Sequence, residues 1–170
     1  MTKANDFVRA LRATQHGDAE TVDEALNRQR AEWIRDLIAL GASIRQWLAP
    51  VVEAGLASIE SQDFALTEPD LGDYDGPGLT LTLLVAGENR KVRVRPRGMQ
   101  IVGVVKTGGA RAIGARGRVD IECGVAREVL LRFKDGEPTK WVSFSKGEQR
   151  TLDEELFFEL LARVTELALP

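Results

Sequence analysis

The chain has 170 residues, of which 44% are apolar and 29% charged, and its formal net charge is −3. These values exclude intrinsic disorder, and no apolar stretch approaches the roughly 20 residues of a membrane helix. A chain of this length buries about 68–70% of its unfolded surface, so residues 1–170 are expected to form a single domain. The single cysteine, Cys123, and the absence of an apolar run after Met1 favour a cytoplasmic location without membrane attachment. The excess of arginine over lysine is typical of a GC-rich bacterial genome.

Residues 1–64 are predicted to form a helical segment, which begins with two helices. A short helix is predicted for residues 5–16. Thr21 and Glu24 fit a capping box, in which each residue satisfies a free N–H group at the start of a helix. They predict a longer helix over residues 21–48.

This longer helix has a nearly heptad apolar stripe that carries two tryptophans. The candidates for an interface with a partner are Trp33, Leu37, Leu40, Ile44 and Trp47. Aromatic residues are enriched at interface cores, which favours docking of a partner protein or a second copy of the chain. The alternative is that the stripe packs on the sheet of its own chain.

The helical pattern weakens after Pro50, which is expected to end or kink the helix. Residues 51–64 are predicted as a third helical piece, weakened by Gly55. Residues 65–78 combine acidic residues with proline and glycine and hold no basic residue, so they are expected to form a linker or a surface loop.

An alternating pattern follows and predicts an antiparallel sheet over residues 79–146. The predicted strands are 79–86, 90–96, 99–107, 113–123, 127–134 and 140–145. Their connections are too short for parallel crossovers, so the strands are expected to form a meander. A last helix is predicted for residues 151–168, with a capping box at Thr151 and Glu154. The predicted class is α+β, with N-terminal helices, a five- to six-stranded antiparallel meander sheet and a C-terminal helix, and with the helices packed on one sheet face.

Charge is strongly segregated along the chain. Residues 89–119 hold nine basic residues and no acidic one. Candidates for binding a polyanion are Arg93, Arg95, Arg97, Lys106, Arg111, Arg116 and Arg118. Alternation places Arg93, Arg95 and Arg97 on one strand face, where their planar guanidinium groups suit phosphates. The alternative is a solvated face whose charges are neutralised by the chain's own acids.

The signals for catalysis are weak. His16 is the only histidine, which leaves no triad or metal cluster. Asp120 and Glu122 lie on one strand face and either hold a cation or pair with Arg118. No catalytic residue, metal ligand or cofactor is predicted.

The sequence therefore favours a small, non-catalytic protein that acts by binding a protein partner or by self-association. The alternative is a module that binds nucleic acid or a phosphate ligand on the basic sheet face.

Overall fold

The computed structural model describes residues 4–5, 7–8, 20–100, 106–107, 110–111, 114–134, 138–145 and 147–170. Most of the helix predicted for residues 5–16 lies outside these ranges. The described residues contain a long helix, a seven-stranded antiparallel sheet, a separate pair of short strands and a C-terminal helix. The predicted α+β class is confirmed. The main sheet has seven strands, one more than the five to six that were predicted.

Helix α1 (Val22–Glu53) begins at the predicted capping box. The Thr21 hydroxyl accepts a hydrogen bond from the Glu24 N–H group at 3.2 Å, and the Thr21 N–H group donates to the Glu24 carboxylate at 3.1 Å. The helix continues past Pro50 for three residues. Gly55 then takes a φ of +73°, a left-handed conformation that commonly ends a helix.

Strand β1 (Ala57–Glu68) and strand β2 (Gly72–Val85) form a long hairpin, which corrects two predictions. Residues 51–64 are not a third helical piece, and residues 65–78 are not a loop, because the two strands pair without interruption along all 12 residues of β1. Phe64 and Leu66 are buried on this hairpin, and their neighbours Asp63, Ala65 and Thr67 are exposed. Many of the acidic residues occupy exposed positions of this hairpin. A run of exposed, acidic residues is also typical of a loop, and this is why the sequence suggested one.

The remaining strands follow the predicted meander. They are β3 (Glu88–Gly98), β4 (Lys106–Thr107), β5 (Ala110–Arg111), β6 (Arg118–Cys123), β7 (Ala126–Phe133), β8 (Lys140–Ser145) and β9 (Glu148–Thr151). The main sheet has the order β1-β2-β3-β6-β7-β8-β9, and β4 pairs only with β5. Residues 101–105 of the strand predicted for 99–107 lie outside the described residues, and Lys106 and Thr107 belong to β4, outside the main sheet. Strand β9 was not predicted.

Helix α2 (Glu154–Thr165) starts later than predicted. Its N-cap is Asp153, whose carboxylate accepts from the Leu156 N–H group at 2.8 Å. Thr151 ends β9 instead of capping the helix, so the second predicted capping box is wrong. The ladder between β8 and β9 takes Thr151 into the sheet and moves the N-cap by two residues, to Asp153.

The core lies between both helices and one face of the sheet. Its fully buried members include Trp33, Ile44 and Leu48 of α1, Val92, Val119 and Ile121 of the sheet, and Phe157 and Leu160 of α2. In β3 and β6 the apolar positions thus alternate toward the helices, and the residues between them form the opposite face. The opposite face also carries buried apolar residues outside this core, Leu131 of β7 and Val142 of β8. That opposite face is called the outer face below.

A buried ion pair joins α1 to the sheet. Arg132 of β7 is 3% exposed, and its Nε donates to Asp36 Oδ2 at 2.8 Å. The hydroxyl of Thr139 donates to the same oxygen at 3.0 Å. The guanidinium also donates to the Arg116 carbonyl at 3.0 Å and lies 5.7 Å from the ring centroid of Trp33. These contacts fix the position of α1 over the centre of the sheet.

Candidate functional site: a charged cluster on the outer face of the sheet

Strand β3 presents a row of basic residues on the outer face. Val92 and Val94 point into the core, so Lys91, Arg93 and Arg95 point to the outer face. These three residues are called the β3 row below. The register places Arg93 opposite Glu122 of β6 and Arg95 opposite Asp120.

Asp120 is a buried carboxylate at the centre of this surface. Its side chain is 0% exposed, although it lies on the outer face, because three guanidinium groups surround it. Arg118 makes the closest contacts, with Nε at 2.7 Å from one carboxylate oxygen and Nη2 at 3.1 Å from the other. Arg127 Nη1 lies at 3.5 Å and Arg97 Nε at 3.6 Å. Asp120 with Arg97, Arg118 and Arg127 is called the Asp120 cluster below.

Glu122 lies beside the cluster and is less buried. Its side chain is 19% exposed, and its Oε1 is 3.9 Å from Arg97 Nη1. Asp120 and Glu122 are thus engaged with arginines, which is the ion-pairing alternative that the sequence left open. Within the described ranges, no three histidine, cysteine or acidic residues are grouped so that they would hold a metal ion.

The β3 row differs from the cluster because its charges have no acidic partner among the residues that the structure describes. None of Lys91, Arg93 and Arg95 makes an ion pair with a described residue. The Arg95 guanidinium instead lies over the Phe64 ring, 5.7 Å from its centroid. Lys91 and Arg93 are exposed. The row and the cluster lie side by side because β3 and β6 are adjacent strands.

The other basic candidates are placed elsewhere. Arg116 precedes β6 and lines a cleft of about 570 Å³ together with Arg28 and Lys134. Lys106 and Arg111 are register partners in the β4–β5 pair, and their side chains lie outside the described part of the structure. The structure thus brings together Arg93, Arg95, Arg97 and Arg118 of the seven candidates.

The predicted interface stripe of α1 packs inside the chain. Trp33 and Ile44 are 0% exposed, and Leu37 and Leu40 are 4% and 5% exposed. Trp47 is half-buried, with its ring centroid 5.6 Å from that of Phe157. The stripe is therefore not a free surface, and packing on the chain's own sheet is the alternative that the structure supports.

Two features of the site were not predicted. Arg127 was not a candidate because it lies outside the basic segment, yet the β6–β7 register places it opposite Glu122. The burial of Asp120 was also missed. The sequence did contain a signal for an ion-pair cluster, because two acidic residues, Asp120 and Glu122, follow directly after the basic segment.

No protein-family model matches the chain, and neither curated proteins nor solved structures provide a match. Neither helix in the described ranges has both the length and the apolar content needed to cross a membrane.

Proposed function

We propose that this protein is a binding module that recognises an acidic segment of a partner protein on its outer face. The single observation that carries the proposal is the β3 row, three basic residues that make no ion pair with any described acidic residue and lie beside a second group of arginines. In the described part of β3, β6 and β7, the outer face has six basic residues against two acidic ones, Asp120 and Glu122. This surplus of positive charge attracts an anionic ligand.

The spacing of the β3 row fits an extended acidic peptide. Alternate residues of a strand lie about 6.6–6.8 Å apart along its axis. Acidic residues at every second position of an extended peptide have the same spacing. Lys91, Arg93 and Arg95 therefore match three successive carboxylates of such a peptide.

The surroundings of the row favour a short protein segment over a long nucleic acid. Strand β1 presents the exposed Glu60 on the outer face, opposite Thr80, and the turn between β1 and β2 holds the exposed Asp70. A long duplex that crossed the outer face would meet these negative charges, whereas a short peptide along β3 needs to contact only the row. In addition, β3 and β6 carry no aromatic residue on which an unpaired base would stack.

Nucleic acid or a phosphate ligand is the second candidate, because guanidinium groups bind phosphates through two parallel hydrogen bonds. Fluorescence anisotropy at low salt compares three labelled probes with equal numbers of charges: an alternating Glu-Thr peptide, a single-stranded oligonucleotide and a duplex. We expect the peptide to bind most tightly. Tighter binding of either nucleic acid would overturn the proposal in favour of the second candidate. No binding of any probe at about 100 µM protein, the weak end of charge-driven affinities, would contradict both.

A further inference from the structure

We infer that Asp120 is a positioning residue of this anion-binding surface, an inference that rests on the proposed function. Asp120 holds the guanidinium groups of Arg97, Arg118 and Arg127 so that their remaining N–H groups face the ligand. The carboxylate therefore strengthens the binding of anions, although it carries a negative charge itself.

The geometry of the Asp120 cluster supports this role. One carboxylate has too few acceptor positions for the N–H groups of three guanidiniums, each of which has five. Arg97 and Arg127 are 38% and 48% exposed and lie at the outer limit of contact distance, so they keep donors free for a ligand. Holding these long side chains in place in the free protein reduces the entropy lost when a ligand binds.

The competing interpretation is that Asp120 only neutralises the surface. The two interpretations predict opposite signs for Asp120→Asn, which adds one positive charge to the outer face and weakens the hold on the arginines. A neutralising role predicts tighter binding of an anion. A positioning role predicts weaker binding despite the added charge.

Glu122→Gln is the matched control, because it makes the same charge change on the same strand at a side chain whose one ion pair with a described residue is near 4 Å. Anisotropy with the labelled Glu-Thr peptide gives the dissociation constants of both variants. We expect Glu122→Gln to bind about two- to fivefold more tightly, the size of an exposed charge effect. We expect Asp120→Asn to bind about tenfold more weakly, because the peptide must then order the three arginines itself. Tighter binding by Asp120→Asn would overturn the inference.

Two further measurements keep the test decisive if Asp120→Asn does not fold. Asp120→Glu keeps the charge but moves the carboxylate by one methylene group, so we expect weaker peptide binding, and an unchanged affinity would contradict the inference. In the wild-type protein, NMR follows the Nε–Hε resonances of Arg97, Arg118 and Arg127 during peptide addition. We expect all three to shift, and unchanged resonances in the saturated complex would also contradict it. Failure of the wild-type protein to bind the peptide would instead refute the proposed function itself.

Discussion

The buried ion pair between α1 and the sheet allows a quantitative test of the fold. Asp36→Ala removes the only carboxylate that Arg132 contacts in the described structure, and Arg132 is 3% exposed. A buried charge without its partner typically costs about 3–5 kcal/mol of stability. We expect Asp36→Ala to fall in this range, because the 2.8 Å hydrogen bond from Arg132 Nε and the bond from Thr139 are lost together.

The partner variant, Arg132→Met, is expected to cost less. Asp36 then keeps the hydrogen bond from Thr139, and Lys134 Nζ lies 4.0 Å away. The double variant removes both charges, so its cost should fall short of the sum of the two single costs by about 2 kcal/mol, within the usual range for contacting residues.

Urea denaturation followed by tryptophan fluorescence and by circular dichroism measures all four proteins. The two probes should give the same midpoint for each protein, as two-state unfolding requires. Costs that add to within about 0.5 kcal/mol would refute the coupling. A cost of Asp36→Ala below about 0.5 kcal/mol, the range of ordinary surface sites, would refute the buried pair itself.

Three further predictions concern other parts of the fold. Gly117 has a φ of +146°, and a Cβ there would overlap the ring of the fully buried Trp33. We expect Gly117→Ala to lower stability by about 2–4 kcal/mol, and a normal urea midpoint would contradict this placement. Tyr74 is the only tyrosine. Its pKa lies above the ordinary value, mainly because the side chain is partly buried, and also because it donates a hydrogen bond to the negatively charged Glu68. Absorbance titration should therefore detect tyrosinate only at higher pH in the folded protein than in urea. Because the folded-state pKa is the higher one, stability should fall as pH rises above about 10, where the unfolded chain ionises. A folded-state titration that matches the one in urea would refute this. Leu160 is 0% exposed on α2, so Leu160→Ala should cost about 2–5 kcal/mol in denaturant melts, and a cost typical of surface sites would mean that α2 is misplaced.

The sheet region was predictable because its alternation is regular. Val92 and Val94 alternate with arginines, and short connections restrict neighbouring strands to antiparallel pairing. The β1–β2 hairpin was not predictable, since its signals conflict: the acidic residues, Pro69 and Pro77 favour a loop. Pairing between β1 and β2 overrides that local preference. Neither strand reveals this pairing when its sequence is considered alone.

The candidate site was predictable only in part. Alternation placed Arg93, Arg95 and Arg97 on one face, because this depends on neighbouring residues within one strand. Pairing of Arg118 with Asp120 was also one of the predicted alternatives, but the convergence of Arg97 and Arg127 on the same carboxylate depends on the register of three strands. That register is set by turns and by a shift between Pro96 and Gly98, so it became visible only in the folded chain.

The most direct test of the proposed binding surface compares two charge-matched double variants. Arg93→Thr with Arg95→Thr removes two charges from the β3 row, and Arg35→Thr with Arg45→Thr removes two exposed charges from α1. Anisotropy with the labelled Glu-Thr peptide measures the affinity of each. We expect the β3 variant to bind about five- to thirtyfold more weakly, which corresponds to about 0.5–1 kcal/mol for each exposed charged contact, and the α1 variant to bind like the wild type. Equal losses in both variants would mean that net charge alone drives binding and would contradict a specific site on the outer face.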